Sequence, residues 1–441
     1  MLHIAEFITR EIINFRGNPM VEVDVILSDG TLGRAAVPYR TPLSMDEQAE
    51  LHDANERGLF GKEIIPALEN VKSIAAKLVG MDALDQAGVD HIMMEDGRHN
   101  KESVGANASL GVSLAVAKAT AASLNMPLCR YISGVNTLQM PVPMINLLSG
   151  GEHAANNLDF REFMIVPVVE ASIAEIFRMC TEVYHALKNI LRSCGRNAAC
   201  GDTGTFAPNL LSNEEALAVL CNAIHKAGYK PGKQFALAIN VAASDFFAGG
   251  EYNFTGEGFI KTPTEMVEYY TGLMNEYPII AIEDGMARDD HEGRSLFYRH
   301  LGDKVQLLGY DIFAANVEQA GRRMESKMGK SILIKVTQVA TLSDILDRVK
   351  RVKEAGYSCV IANCSSEAED PVIADIAVGV NAARIKVGPP ARTNQVAVYN
   401  RLLRIEEDRK TIRTASRRLG EPTGSGAVNL VQSPGDGCLR R

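Results

Sequence analysis

From residue 141 to about residue 420, short apolar runs alternate with longer stretches in which apolar residues recur at three- and four-residue steps. This rhythm constrains the fold more than any other feature of the chain. Short apolar runs bounded by turn residues read as buried strands, and a 3.6-residue period reads as an amphipathic helix. The runs Phe163–Val166, Phe235–Val241, Ile279–Glu283, Val305–Leu308, Ile332–Val336, Ser358–Ile361 and Arg384–Val387 read as strands. Ile173–Leu191, Glu214–Ala227, Thr264–Asn275, Leu342–Ala355, Pro371–Ala382 and Gln395–Ile405 read as helices. Repeated βα units of this kind predict an α/β fold, a (β/α)₈ barrel with its helices outside. An open doubly wound sheet would bring a glycine-rich nucleotide turn after its first strand, and the sequence has none.

The segment before the barrel reads differently. Val21–Leu27 alternates apolar and polar residues, Ser28-Asp29-Gly30 is a turn signal, and Gly33–Val37 resumes the alternation. Helical periodicity follows over Ile64–Leu78 and over the alanine-rich Ala106–Leu124. Three regions are therefore expected: an α+β domain over 1–135, the barrel over 136–420, and a disordered tail over 421–441 rich in Gly, Pro and Ser.

Charge and cysteine usage exclude several functions. The formal net charge of −8 argues against a dedicated nucleic-acid binder, which shows a basic field. No apolar run approaches the ~18 residues of a membrane span. Glu6, Arg10 and Glu11 stand where a signal peptide needs an apolar block, so a cytoplasmic location is expected. The 8 cysteines are scattered, with no Cys-x-x-Cys pair, so neither a zinc knuckle nor a disulfide framework is expected.

Several motifs carry little. Gly329-Lys330-Ser331 resembles the end of a phosphate-binding loop, but Met324 stands where the leading glycine belongs and the tripeptide precedes a strand. The three Asn-x-Ser/Thr sequons mean nothing without a secretory signal. The histidines outside Gly150-Gly-Glu-His153 are dispersed, and Asp289-Asp290-His291-Glu292 reads as a solvated loop.

In a parallel barrel the chemistry sits where strands end and βα loops begin. The polar residues at or beside those ends are Arg161, Glu162, Thr203, Asn240, Glu283, Tyr310, Lys335, Asn363 with Cys364, and Lys386. Lys335 is the sharpest of them, a lysine closing the apolar run Ser331-Ile-Leu-Ile-Lys335. Burial there would lower its pKa and make it a base. A lysine snorkelling out of the barrel end is the less favoured alternative.

These residues carry a resemblance over almost the whole chain. Arg16-Gly-Asn-Pro19, Gly105-Ala-Asn-Ala108, Pro141-Val-Pro-Met-Ile-Asn146, Gly150-Gly-Glu-His153, Glu162-Phe-Met164, Ala207-Pro-Asn209, Ile282-Glu-Asp284, Ser331-Ile-Leu-Ile-Lys335 and Leu403-Arg-Ile-Glu-Glu407 resemble, in order and spacing, the enolases. The resemblance implies a small N-terminal α+β domain on a modified (β/α)₈ barrel, and a homodimer. It implies a lysine base at Lys335 working with magnesium, as the enolase superfamily does. It also implies a substrate lysine at Lys386, the loop histidine at His153, the barrel glutamate at Glu162 and a metal carboxylate at Glu283.

The rest of the implied pocket departs from the family. Its acid is replaced by Thr203, its second and third metal carboxylates by Asn240 and Tyr310, with Asp311 next in sequence. Its Ser-His-Arg-Ser run is Ala362-Asn363-Cys364-Ser365, which leaves Ser365 as a substrate contact. Its mobile serine loop is Tyr39-Arg40-Thr41-Pro42-Leu43-Ser44, and a glutamine beside Glu162 is Arg161. Magnesium wants octahedral oxygen ligands with carboxylates to balance its charge, so at best weak magnesium binding is expected. Lost metal and lost acid would each cost about 10²-fold or more in ordinary dehydration.

Arg40, Arg161, Lys335 and Lys386 then suggest a cationic pocket for a small phosphorylated carboxylic acid held without metal. The expected function is a repurposed enolase-like enzyme, of the kind that builds carboxyphosphonoenolpyruvate. Cys364 is a further candidate nucleophile. A catalytically inactive binding protein and a weak phosphopyruvate hydratase are the alternatives. No nucleic acid and no membrane are expected as partners.

Overall fold

The computed structural model describes residues 2–14, 17–37, 65–99, 106–201, 203–309, 331–336, 339–362 and 369–420, with backbone alone at 65–66, 95–99, 106–107, 153 and 410–420. It opens with three antiparallel strands, β1 (Ile4–Ile13), β2 (Pro19–Leu27) and β3 (Leu32–Val37), in that spatial order. The strand β1 went unread in the sequence because it is an edge strand, largely exposed and carrying Glu6, Thr9, Arg10 and Glu11. The central β2 has Val21, Val23, Val25 and Leu27 in the core. Its opposite face holds a cross-strand charge ladder in which Arg10 pairs with Glu22 and Asp24, and Arg34 with Asp24.

Four helices follow: α1 (Ile65–Leu78), α2 (Gln86–His99), α3 (Ala106–Ser123) and α4 (Leu128–Ser133). The alanine-rich α3 lies directly on the sheet. A Cβ at Gly33 would fall 2.2 Å from the Ala115 carbonyl oxygen, so only glycine permits this approach of strand to helix.

The barrel contains β4 (Val142–Ser149), β5 (Glu162–Pro167), β6 (Phe235–Asn240), β10 (Ile279–Glu283), β11 (Gln306–Gly309), β12 (Ser331–Lys335), β13 (Ser358–Ala362) and β14 (Arg384–Val387). They close in the order β10-β11-β12-β13-β14-β4-β5-β6. The strand β4 completes the seven read from sequence. A small sheet of β7 (Phe247–Ala248), β8 (Glu251–Phe254) and β9 (Phe259–Lys261) is inserted after β6. The barrel is not all parallel: β5 runs antiparallel to both β4 and β6. Its amino end therefore lies at the mouth, which is why Arg161 and Glu162 sit there although they precede their strand. The interior is filled by residues such as Met144, Met164, Leu308, Leu333 and Val360, so the barrel is a packed core with chemistry only at its rim.

Outside run α5 (Ile173–Ser193), α6 (Asn213–Lys226), α7 (Pro263–Glu276), α8 (His291–Leu301), α9 (Leu342–Glu354), α10 (Val372–Gly379) and α11 (Thr393–Gly420). Side-chain oxygens start several of them. Ser172 caps α5, Ser212 caps α6, and Thr262 forms a capping box with Glu265 at α7. The acidic run 289–292 is no solvated loop, because Asp290 is buried, caps α8 and accepts from the Tyr252 hydroxyl.

The N-terminal unit is fastened to the barrel by polar contacts. Lys118 pairs with Asp370, which also accepts from the Ala36 N–H. The Ser343 and Leu342 N–H groups at the start of α9 donate to Asp90 and to the Ser113 hydroxyl across the junction. Among the described residues no helix is long and apolar enough to cross a membrane. The tail over 421–441 lies outside the described residues.

Candidate active site

Register brings the mouth residues together. Glu162 lies opposite Asn240 across β5 and β6, and Asn240 lies opposite Glu283 across β6 and β10. On the other side of the ring Lys335 lies opposite Ala362, and Ala362 opposite Lys386. The two-residue side-chain period points Glu162, Asn240, Glu283 and Lys386 from the strand ends towards the barrel axis.

There they form one cluster. The Lys386 ammonium is ion-paired with Glu162 and, at 2.6 Å, with Oε2 of Glu283. The Asn240 Nδ2 donates to Glu162 Oε2 at 3.0 Å and to Glu283 Oε1 at 3.2 Å. The amide orientation is fixed by its other end, because Oδ1 of Asn240 accepts from the Ala242 N–H. Glu283 is 1% exposed and Lys386 9%. Burial alone would lower the Lys386 pKa, but the two carboxylates reverse this and hold it above the ordinary lysine value. Lys386 is therefore held in its charged form at neutral pH.

This donor set fits magnesium poorly. A hard dication needs about six oxygen lone pairs at roughly 2.0–2.1 Å. Here both oxygens of Glu283 face donors, Asn240 turns its N–H₂ to the centre, and an ammonium already bridges the carboxylates. Among the described residues no group of three or more His, Cys, Asp or Glu could hold a metal ion.

The other expected residues divide into three sets. Lys335 stands at the end of β12, half-buried where the apolar run suggested full burial. Thr203 shares a hydrogen bond of 2.9 Å with the Thr205 hydroxyl. Their turn is held to the loop after β14 by Arg392, which donates to the Gly201 carbonyl. The charge of Arg161 is committed to Asp245, with Glu152 at 3.5 Å. It is not a spare cation at the mouth. The backbone of His153 ends a short 3₁₀ turn, Gly151–His153. Arg40, Tyr310, Asp311, Asn363, Cys364 and Ser365 lie outside the described residues.

Sequence reading missed some of the mouth. Ala242 and Asp284, just beyond the ends of β6 and β10, adopt left-handed φ of 49° and 48°. Strained non-glycine backbone of this kind gathers at functional sites. It lets the Ala243 N–H reach the Asp284 carbonyl and ties the two strand ends together. Alanine does not advertise that conformation, although aspartate adopts it more readily than most residues. Asp245, the partner of Arg161, was also missed, because its role depends on the turn after β6. A separate cleft of 610 Å³ lies between the domains, lined by Glu22, Arg34, Lys118, Asp370 and Asn394 among others, and includes none of the mouth cluster.

Comparison with known families agrees with this architecture. The profile of the enolase N-terminal domain matches residues 4–132, and that of the enolase C-terminal TIM barrel domain matches residues 137–415. With most of its length matched, a closed eight-stranded barrel and a small N-terminal domain, the chain belongs to the enolase family, a family of lyase-like enzymes.

Proposed function

We propose that this chain is a divergent enolase-family protein whose mouth binds a phosphorylated or phosphonylated three-carbon carboxylic acid without divalent metal, as a cytoplasmic homodimer. The observation that carries this reading is the charge balance of the cluster. Glu162 and Glu283 are offset by Lys386, with Lys335 two strands along the ring from Lys386, so the described mouth does not repel an anion in the absence of metal. Hydroxyls of Thr203 and Thr205 add neutral donors where the family resemblance would put an acid. On this reading the ordinary dehydration of 2-phosphoglycerate is lost or strongly impaired. The retained lysines serve a related reaction, of the carboxyphosphonoenolpyruvate-synthase kind.

The test is calorimetric titration with phosphoenolpyruvate, once in chelator and once in excess magnesium. Saturable binding in chelator, weakened about tenfold or more by Lys335→Ala, is the expected result, since one charge-assisted hydrogen bond is worth roughly 1.5–3 kcal/mol. Binding that needs magnesium would overturn the reading and return the protein to weak hydratase chemistry. A second reading, a non-catalytic binding protein, is favoured by the mutual satisfaction of Lys386, Glu162, Glu283 and Asn240, which leaves fewer groups poised for proton transfer. Binding without turnover of any phospho-carboxylate would select it.

A further inference from the structure

We propose that Lys386 is a built-in cation that closes the Glu162–Glu283 pair to divalent ions, and that removing its charge turns the pair into a divalent-cation site. Three observations carry this. The ammonium bridges the two carboxylates instead of facing solvent. The amide of Asn240 is locked with its donor end inward by the Ala242 N–H, so it reinforces the carboxylates as acceptors and offers no lone pair of its own. Glu283 cannot turn away to water, because it is 1% exposed and both of its oxygens are engaged.

The chemistry follows from charge. A buried carboxylate pair needs a cation, and one ammonium on a tether outcompetes a dication that must shed its water to enter. Without the ammonium, the two carboxylates keep the donor Nδ2 of Asn240 between them but lose the cation that bridges them. A manganese or magnesium ion then becomes the available counter-charge. The inference is independent of the substrate reading: failure to bind phosphoenolpyruvate leaves it standing, and failure to exclude metal leaves phosphoenolpyruvate binding to be judged by its own titration.

The experiment is a titration of the full-length protein with Mn²⁺ alone, read by electron paramagnetic resonance of the free ion. The unmodified protein is expected to show no stoichiometric site up to millimolar Mn²⁺. Lys386→Met should gain one site at least tenfold tighter, Lys386→Arg should gain none, and Lys386→Met with Glu283→Gln should lose what Lys386→Met gained. Stoichiometric binding by the unmodified protein that Glu283→Gln abolishes would overturn the proposal. So would a folded Lys386→Met that gains no site. If Lys386→Met does not fold, the unmodified protein and Glu283→Gln decide the matter alone.

Discussion

Replacing Lys386 by methionine keeps most of the side chain's length and apolar stem but removes its charge. The structure sets the size of the effect. Two ion pairs are lost, to Glu162 and to Glu283, and Glu283 is left almost fully buried, with its Oε1 still accepting from the amide of Asn240. Removing one partner of a buried pair costs about 3–5 kcal/mol, chiefly because the other charge is stranded. At roughly 2–4 °C per kcal/mol for a domain of this scale, the melting temperature should fall by roughly 6–20 °C. Adding Glu283→Gln should recover part of that loss, because the stranded charge is gone. The deficit of Lys386→Met should also shrink as the pH falls from 8 to 5, since a stranded carboxylate escapes its cost by taking up a proton. Circular-dichroism melts of the single and double variants at both pH values measure this. A loss under about 1 kcal/mol with no trend in pH would refute the bridging lysine.

Four further outcomes follow from other parts of the molecule. Asp24 is held down to about 2, first by its hydrogen bond to Arg34 and then, against burial, by Arg10. A depressed acid contributes stability above its unfolded value of 3.8 that is lost as the pH falls towards 2. Acid titration of the melting temperature should therefore be shallower in Asp24→Asn than in the parent between about pH 4 and pH 2. Gly33→Val should cost about 3 kcal/mol or more, or leave the protein insoluble, because its Cβ would strike the backbone of α3. By contrast Gly272 sits inside α7 with nothing within 4 Å of a Cβ, so Gly272→Ala should stabilise by roughly 0.5–1 kcal/mol in denaturant titration. Lys118→Met should cost about 1–3 kcal/mol and speed proteolysis at the junction between the domains. Asp370→Asn should do less, because an amide oxygen can still accept from Ala36.

The barrel was legible because its strands are buried on both faces and so read as apolar runs. Arg384–Val387 and Ile279–Glu283 have the same bounds in sequence and structure. The strands that escaped reading were those without that signature. The edge strand β1 carries three charged residues in ten, and β7 to β9 span between two and four residues each. The direction of β5 was not legible either, since a two-residue period is the same read from either end. At the mouth, sequence supplied the residue types and the barrel rule supplied the place. What it could not supply was pairing. Arg161 and Lys386 both read as cations available to an anion, yet each has a carboxylate partner set by tertiary structure, Asp245 for one and Glu162 with Glu283 for the other.

That pairing joins a departure from the family, Asn240, to a residue that the resemblance retains, Lys386. A carboxylate at position 240 would put a third negative charge about where Nδ2 of Asn240 now lies, within 3.0 to 3.2 Å of Glu162 and Glu283. Three anions so close require a dication. An amide in that place donates to both glutamates instead, and one ammonium then balances the pair as well as a single charge can. The change to Asn240 and the bridging by the retained Lys386 thus belong to one electrostatic arrangement. A ligand carboxylate or phosphate entering this mouth must take Lys386 from Glu162, exchanging one charge-assisted bond for another of similar strength. Affinity gained in that exchange is small, so specificity has to come from the neutral donors around it and from Lys335.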